Sequence, residues 1–577
     1  MARHTAAHHL LEGMCEAGIE HLFCNLGTDH VTIIEELARW DAADRAHPNT
    51  ILCPHENVAV HMAGGYAAMT GRGQAVLVHV DAGTANAAMA MHNLFRARLP
   101  VFLMAGRAPF SSRGELPGGR DGYVHFIQDP YDIGSLVRPY VHWEYSLPSG
   151  VVAKEAFARG HAMMQAEPRA PVFMTLPREV LAEEIEESKV HAFRATRFAG
   201  LPARGTDPAT ATRIAEAIMA AENPVAITAY LGRNPAAVPV LDALAREAGI
   251  RVVEHSPIHL NIPHDSPCFA GFDPRGLAAE TDLGLLLDVD VPWIPLTVKE
   301  NPAADWIHVD VDPLKRDLPM WSFPAGLRVA GDACTILTQV LDEVRARADE
   351  PFRARIANRI ASWAPVREAR LAAAATAAAK PGEPDALNPA WVLATLGRLI
   401  APEDIVLNEA IRNGPIMQDQ VPRTVPGSYI GLAGGGLGFS GGMALGARLA
   451  CPDRRVVQVV GDGTFHFSTP DSVYATAQQY GLPIFTVVLD NRGWQAVKAS
   501  TLRVYPDGVA RQNDNFQSRL DGRRNDSQRR FEDVARAFGA HGERATTADE
   551  LEPAIRRCLA AVEAGQAAVL TVRVTPL

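Results

Sequence analysis

Along this chain, short runs of β-branched and aliphatic residues recur between stretches with helical apolar spacing, and that alternation restricts the fold more than any other feature. The runs include AVLVHV at 75–80, PVFLMAG at 100–106 and PVFMTLP at 171–177, then GIRVVEH at 249–255, LGLLLDV at 283–289 and ADWIHVDVDP at 304–313. They resume with VVQVVGDGTFHFS at 456–468 and PIFTVVLDNRGW at 483–494. Runs with so little polar alternation suit strands covered on both faces, and strands separated by helices join through crossovers. The expected class is therefore α/β with mostly parallel sheets. At 577 residues the chain exceeds what one hydrophobic core can serve, so several domains are expected. The reading is three consecutive doubly wound domains at 1–190, 191–350 and 389–577, with 351–388 as a linker. The charged, then Gly/Pro-containing stretch 178–208 forms the first connector, and REARLAAAATAAAKPGEP in the linker reads as an exposed helix followed by a Pro/Gly break.

Composition narrows the partners. Hydrophobic residues make up 47% and charged residues 21%, as in an ordinary globular protein. A net charge of −11 with no dense Lys/Arg block argues against nucleic acid and anionic bilayers as partners. The N-terminal MARHTAAHHLLEGMCEAG lacks the apolar core of a signal peptide, and no run is long enough to span a membrane. Seven scattered cysteines, never as CxxC, suggest neither a disulfide framework nor a zinc site. A cytoplasmic protein is expected.

The sharpest chemical signal is the strand ending in Gly461-Asp462-Gly463-Thr464, followed by a second strand ending at Asp490-Asn491. In a parallel sheet both carboxyl ends lie on one edge, where doubly wound folds collect ligands. Asp462 and Asn491 can then supply oxygens to one hard cation. Mg²⁺ fits, because it completes its octahedron with phosphate oxygens and water. Glycines let the backbone approach those phosphates, and the following helix N-terminus favours their charge.

This arrangement resembles the GDG-to-Asn signature of the thiamine-diphosphate-dependent decarboxylase and acetolactate synthase superfamily, over essentially the whole chain. The resemblance implies pyrimidine-binding, central and diphosphate-binding domains in that order, with Asp462, Asn491 and the Gly493 carbonyl on Mg²⁺. It further implies Gly461, Gly463, Thr464 and Asn413 in cofactor binding. Two departures stand out: Asp490-Asn491 replaces the usual Asn-Asn pair, and the span between the ligands is about two residues longer than the family pattern.

In CPHENVAVHMAGGYAAMTGR (53–72), Glu56 opens an amphipathic helix closely packed at Gly64 and Gly65. By the same resemblance, Glu56 drives the imino tautomer of the cofactor's aminopyrimidine, whose nitrogen generates the thiazolium ylid; standing alone it would serve the helix dipole. The segments LFCNLGTDH (22–30), LVHVDAGTANAAMAMHNLFRARLPVFLMAGR (77–107) and PGSYIGLAGGGLGFSGGMALGA (426–447) resemble the benzoylformate decarboxylases most closely. That match makes His79 an acid/base, Thr28 a contact for the donor's carboxylate, and Leu437 the residue that wedges the cofactor into its bent shape. Gln128 in HFIQDP resembles a glutamine that lines the active site of the synthases. His55, His61 and His125 also belong near the expected site and compete with His79 for its role.

The middle segment reads ITAYLGRNP (227–235) where FAD-carrying relatives show a Gly-rich turn, so FAD is not expected. DVDVPWIP (288–295) puts Trp293 where a second histidine would belong. The Arg- and Asn-rich stretch 498–526 reads as a pocket-shaping flap, with Arg503 and Arg511 either facing an anionic tail or simply solvated. The expected reaction is decarboxylation of a 2-oxo acid through an enamine, followed by aldehyde release or carboligation to an aldehyde acceptor. Acetolactate synthase-like condensation, 2-hydroxyacyl-CoA cleavage and a non-catalytic thiamine-diphosphate binder are the rivals. The resemblance implies a homodimer or homotetramer with sites between subunits.

Overall fold

A computed structural model describes residues 2–190, 200–519 and 529–576. Parts of the first connector (191–199) and of the 498–526 stretch (520–526) lie outside the described residues. The six strands of the first segment's main sheet are β1 (His21–Cys24), β2 (Asn49–Leu52), β3 (Gln74–Val78), β4 (Val101–Arg107), β5 (Glu144–Ser146) and β6 (Val172–Pro177). They form one parallel sheet in the order β2-β1-β3-β4-β6-β5. Next come β7 (Val225–Thr228), β8 (Arg251–Glu254), β9 (Leu283–Leu287), β10 (Asp305–Asp310) and β11 (Leu327–Ala330), parallel in the order β8-β7-β9-β10-β11. The last sheet contains β12 (Ile405–Glu409), β13 (Tyr429–Gly431), β14 (Val456–Gly461), β15 (Phe485–Asp490), β16 (His541–Ala545) and β17 (Ala568–Arg573), ordered β13-β12-β14-β15-β17-β16. It repeats the strand order of the first. Every residue of β3, β9, β12, β15 and β17 is buried, as strands covered on both faces require.

In this order the connections reverse between the first and third strands of each sheet, which opens a crevice at their carboxyl ends. The crevice of the first sheet lies between β1 and β3, and that of the last between β12 and β14. In the central sheet the same position is filled by side chains. Buried Lys315 donates to Asp310 (2.6 Å), Asp290 (2.7 Å) and the Tyr230 hydroxyl (2.6 Å). Arg98 reaches in from the first segment to Asp290 at 2.9 Å.

The helices that matter most are α1 (Glu56–Thr70), α2 (Val80–Arg96), α3 (Glu350–Ser362), α4 (Ala364–Ala377), α5 (Ser440–Ala450), α6 (Asp462–Phe467) and α7 (Gln495–Val504). The amphipathic reading of α1 does not hold, because every residue from Glu56 to Ala67 is buried. Its second face is covered by α5 of the last segment. A Cβ at Gly65 would stand 2.1 Å from the Met443 carbonyl oxygen, and one at Gly446 would stand 1.9 Å from that of Met62. The two backbones touch through glycines, and the first and last segments share one continuous core in which Val58 and Met62 join Ile430 and Met443. The exposed helix read in REARLAAAATAAAKPGEP is α4, and a further helix, α3, precedes it. Phe352 and Ile356 of α3 pack into the central core, while α4 buries nothing. Among the described residues no helix is long and apolar enough to cross a membrane.

Candidate active site

The carboxyl edge of the last sheet gathers one group of the predicted residues. The apolar run of β14 stops at Gly461, and Asp462, only 1% exposed, begins α6. Beside it β15 ends at Asp490, and Asn491 follows. The Asn491 side-chain amide lies 3.1 Å from Asp462 Oδ1 and 2.7 Å from the Gly493 carbonyl oxygen. With its oxygen turned toward them, three acceptors converge, an arrangement that a cation satisfies; with its nitrogen turned, it donates to both. Gly493 reaches this place at φ 142°, a backbone conformation that suits glycine.

Leu437, Gly461, Asp462, Gly463, Thr464, Asn491 and Gly493 line one cavity of about 280 Å³ with Ala410–Arg412 from the end of β12, at the crevice between β12 and β14. Asn413 adjoins it, fully buried, and neither amide atom has a partner among the described residues. An orphaned buried amide next to an acceptor cluster is what an anionic cofactor and its cation would complete.

The Asp490 departure has a physical explanation. Buried Asp490 pairs with Arg529 at 2.8 Å and Arg573 at 3.1 Å, so its charge is compensated from outside the cavity. Arg529 also donates to Asp462 Oδ2 at 3.1 Å. Burial, with the charge of Asp490 second, pushes Asp462 up to about 7.

Leu437 is held by residues that sequence reasoning missed. Buried Glu409, the last residue of β12, accepts from the N–H groups of Gly438 (2.6 Å), Phe439 (3.3 Å) and Ser440 (3.0 Å) and from Ser440 Oγ (2.6 Å). It thereby caps α5, and its burial pushes it up to about 7. The signal was a carboxylate ending the apolar run IVLNE. From α2, Asn93 donates to the Gly436 carbonyl at 2.9 Å and accepts from the Gly436 N–H at 3.0 Å. Asn57, next to Glu56, donates to the Gly438 carbonyl at 3.4 Å. These contacts join the first segment to the Leu437 loop.

A second group sits at the crevice between β1 and β3. Glu56 is buried at the start of α1 and accepts from Asn86 Nδ2 of α2 at 3.0 Å. His79 lies between β3 and α2, with Nδ1 2.5 Å from Asp29 Oδ1, and that hydrogen bond raises its pKa. Gln128 stands beside His79, its Oε1 buried without a partner among the described residues. Thr28 Oγ1 is 3.3 Å from His125 Nε2. The other histidines have separate tasks. His55 caps α1, accepting from the Asn57 N–H at 3.0 Å. His61 is fully buried, donates from Nδ1 to the Asn57 carbonyl (3.0 Å) and meets the Asn93 amide at Nε2 (3.2 Å).

Trp293 is a core residue, packed on Trp306 at 4.8 Å and Phe323 at 5.2 Å. The stretch after the metal-type turn begins in α7 (Gln495–Val504), whose Gln495, Ala496 and Val497 line the cavity. Arg503 and Arg511 are exposed, and Arg511 donates to the Pro506 carbonyl of its own loop at 2.6 Å, which is the solvated reading.

Burial lowers the His61 pKa from 6.5 to about 4. A base whose folded pKa is depressed contributes stability above its unfolded value and loses it as pH falls toward the folded one. His61 should therefore cost about 3 kcal/mol of stability between pH 6.5 and 4. Denaturant unfolding across that range should give a flatter profile for His61→Gln than for the parent; parallel profiles would discard the assignment.

The sequence matches the pattern of the thiamine pyrophosphate enzyme N-terminal TPP binding domain over residues 4–136 and that of the C-terminal TPP binding domain over 415–572. Between them these cover about half of the chain. It is 27% identical to benzoylformate decarboxylase of Pseudomonas aeruginosa, covering 97% of this chain and 96% of that protein. It is 25% identical to sulfoacetaldehyde acetyltransferase of Rhodobacter capsulatus, covering 90% and 86%. Its fold matches a solved Rhodococcus jostii RHA1 thiamine diphosphate-dependent 4-hydroxybenzoylformate decarboxylase with a TM-score of 0.78 at 21% identity, over 100% of this chain and 99% of that one.

Proposed function

Because the chain belongs to the thiamine pyrophosphate enzymes, we propose that it decarboxylates a 2-oxo acid bearing an apolar or aromatic side chain and releases an aldehyde or transfers the acyl group to a second carbonyl. The observation that carries this reading is the imidazole of His79 at the crevice of the first sheet, beside Gln128 and bonded to Asp29, the residue after Thr28, where a proton must be delivered after CO₂ leaves. The apolar donor side chain is supported by Ile411, Phe467, Trp494 and Val497 on the cavity wall. The Pseudomonas aeruginosa benzoylformate decarboxylase acts on an arylglyoxylate by name, and the acetyltransferase relative supports acyl transfer.

Thiamine diphosphate, when bound, supplies a nucleophilic carbon and a sink for the electrons that CO₂ leaves behind. Asp462, Asn491 and the Gly493 carbonyl would hold Mg²⁺. Gly461, Gly463, Thr464 and Asn413 would receive the diphosphate, and Leu437, braced by Glu409 and Asn93, would support the cofactor's bend. Glu56, oriented by Asn86, holds a proton toward the aminopyrimidine. Thr28 and Gln128 orient the donor, and His79 Nε2 gives and takes the proton of the product.

Two copies of the chain sharing each site, as a homodimer or homotetramer, belong to the same reading. Exposed Tyr123, Phe126 and Ile127 next to the His125 and Gln128 region, and exposed Val497, Val504 and Tyr505 near the cavity, are apolar surfaces that a second copy would cover. Work in the cytoplasm is supported by seven cysteines, all unpaired.

The test is to incubate the protein with thiamine diphosphate and Mg²⁺, offer a panel of 2-oxo acids including pyruvate and benzoylformate, and follow CO₂ and product mass with and without an aldehyde. CO₂ release, fastest with an aryl donor, is expected, and the product mass separates aldehyde release from ligation. Cofactor binding without CO₂ from any member would sink the reading.

A further inference from the structure

His79 does not stand alone at the crevice of the first sheet. The carboxylate of Asp29 is 1% exposed and lies on its inner side, with Oδ1 2.5 Å from His79 Nδ1 and Oδ2 accepting from the Val80 N–H at 3.3 Å. His30 Nε2 stands 3.1 Å from Oδ2. The tautomer of fully buried His30 follows from its other nitrogen: Nδ1 accepts from the Gly27 N–H at 3.0 Å, so the proton sits on Nε2, the nitrogen nearer Asp29. A carboxylate that already accepts from a backbone N–H, with a histidine nitrogen 3.1 Å away, is a fixed acceptor. The proton between it and His79 therefore resides on Nδ1, which leaves Nε2 as the basic nitrogen.

The surroundings are shaped for this pair. A Cβ at Gly106, the penultimate residue of β4, would fall 1.4 Å from Asp29 Oδ2, and one at Gly27 would fall 2.1 Å from His79 Nδ1. Only glycine leaves room at either place. Val80 takes φ 29°, a strained value for a β-branched residue, while its N–H bonds Asp29. The remaining charged and titratable groups facing His79 are Asp81 on its own helix and His125, behind which lie Asp121 and Arg178. Asp29 is the one that touches the ring.

We propose that Asp29 is a positioning residue for the reaction, holding the His79 proton on Nδ1 so that Nε2 faces the product as the acceptor and donor of its proton. This rests on the reading of His79 under the proposed function. The ordinary directions agree: the two histidines hold Asp29 well below the carboxylate range despite its burial, and Asp29 raises His79. A fixed carboxylate behind an imidazole both selects the tautomer and steadies the imidazolium that forms in the reaction.

The experiment uses the full chain with thiamine diphosphate and Mg²⁺, labelled with ¹⁵N-histidine and assigned by loss of one signal pair in His79→Ala. In the parent protein the ring shifts of neutral His79 should report a proton on Nδ1, with a titration midpoint above 6.5. A proton on Nε2 would overturn the proposal without any variant, whether or not variants fold. In Asp29→Asn, the midpoint should fall, the limb of the pH–kcat profile that tracks His79 should move with it, and kcat should drop on the order of 100-fold. Cofactor affinity and KM for the 2-oxo acid should change less than about 3-fold, because Asp29 touches neither in this reading. An unmoved midpoint in Asp29→Asn overturns the pairing. A midpoint that falls while the kcat profile stays in place overturns the positioning role by removing His79 from proton transfer, and so separates failure of the proposed function from failure of the pairing.

Discussion

Glu56→Gln is expected to lower kcat by on the order of 10²- to 10⁴-fold, the range lost when a positioned proton-transfer group is removed. The replacement is nearly isosteric, and its amide oxygen can still accept from Asn86, as the Glu56 carboxylate does at 3.0 Å. The start of α1 should therefore keep its packing, and the loss should lie in chemistry. What disappears is the carboxyl group that passes the proton. Steady-state CO₂ release beside direct measurement of thiamine diphosphate affinity checks this. Unchanged turnover would remove Glu56 from the proposed proton relay and favour a binder in which the carboxylate only serves the helix.

The second large effect is expected at the cation. Asp462→Ala should weaken thiamine diphosphate binding at fixed Mg²⁺ by about 100-fold or more, since even groups that merely support a metal ligand are worth 10- to 100-fold in affinity. Asp462 contributes the only carboxylate to the three-oxygen cluster with Asn491 and the Gly493 carbonyl. Its removal would also leave Arg529, which it shares with Asp490, as a positive charge beside the cation site. The binding signal is at hand: the Trp494 indole lies so close to Gly463 that a Cβ there would be 2.4 Å from the ring. Quenching of its fluorescence by cofactor should shift to much higher concentration in the variant. Equal affinity in the two proteins would dismiss Asp462 as a ligand.

Much of this architecture was legible because its signals are local. A strand that ends in Gly-Asp-Gly-Thr and one that ends in Asp-Asn-Arg-Gly announce themselves through turn chemistry over a few residues, and both runs fold as strands ending where the pattern stops. The alternation that predicted parallel sheets is likewise carried by each run separately. The errors fall where a distant segment decides. The helix beginning at Glu56 reads as amphipathic because its glycines and alanines look like a polar-side compromise; they are small because α5, nearly 400 residues later, crosses them with backbone against backbone. The linker was drawn from residue 351 since Phe352 and Ile356 give no local hint that the central core receives them.

The same division holds at the site. The sequence by itself determined which residue types stand at the ends of which strands, because hydrogen-bonded turns and the burial of apolar runs act over short chain distances. Strand order was decided only in the tertiary structure, since it depends on how crossover helices pack on the completed sheets. That order brings the loop after β1 to the end of β3, so that Asp29 meets His79 across 50 residues, and sets β12 beside β14, so that Glu409 can hold the Leu437 loop against the Gly-Asp-Gly turn. A buried carboxylate is tolerable only where donors from elsewhere in the chain converge on it, and that convergence belongs to the fold.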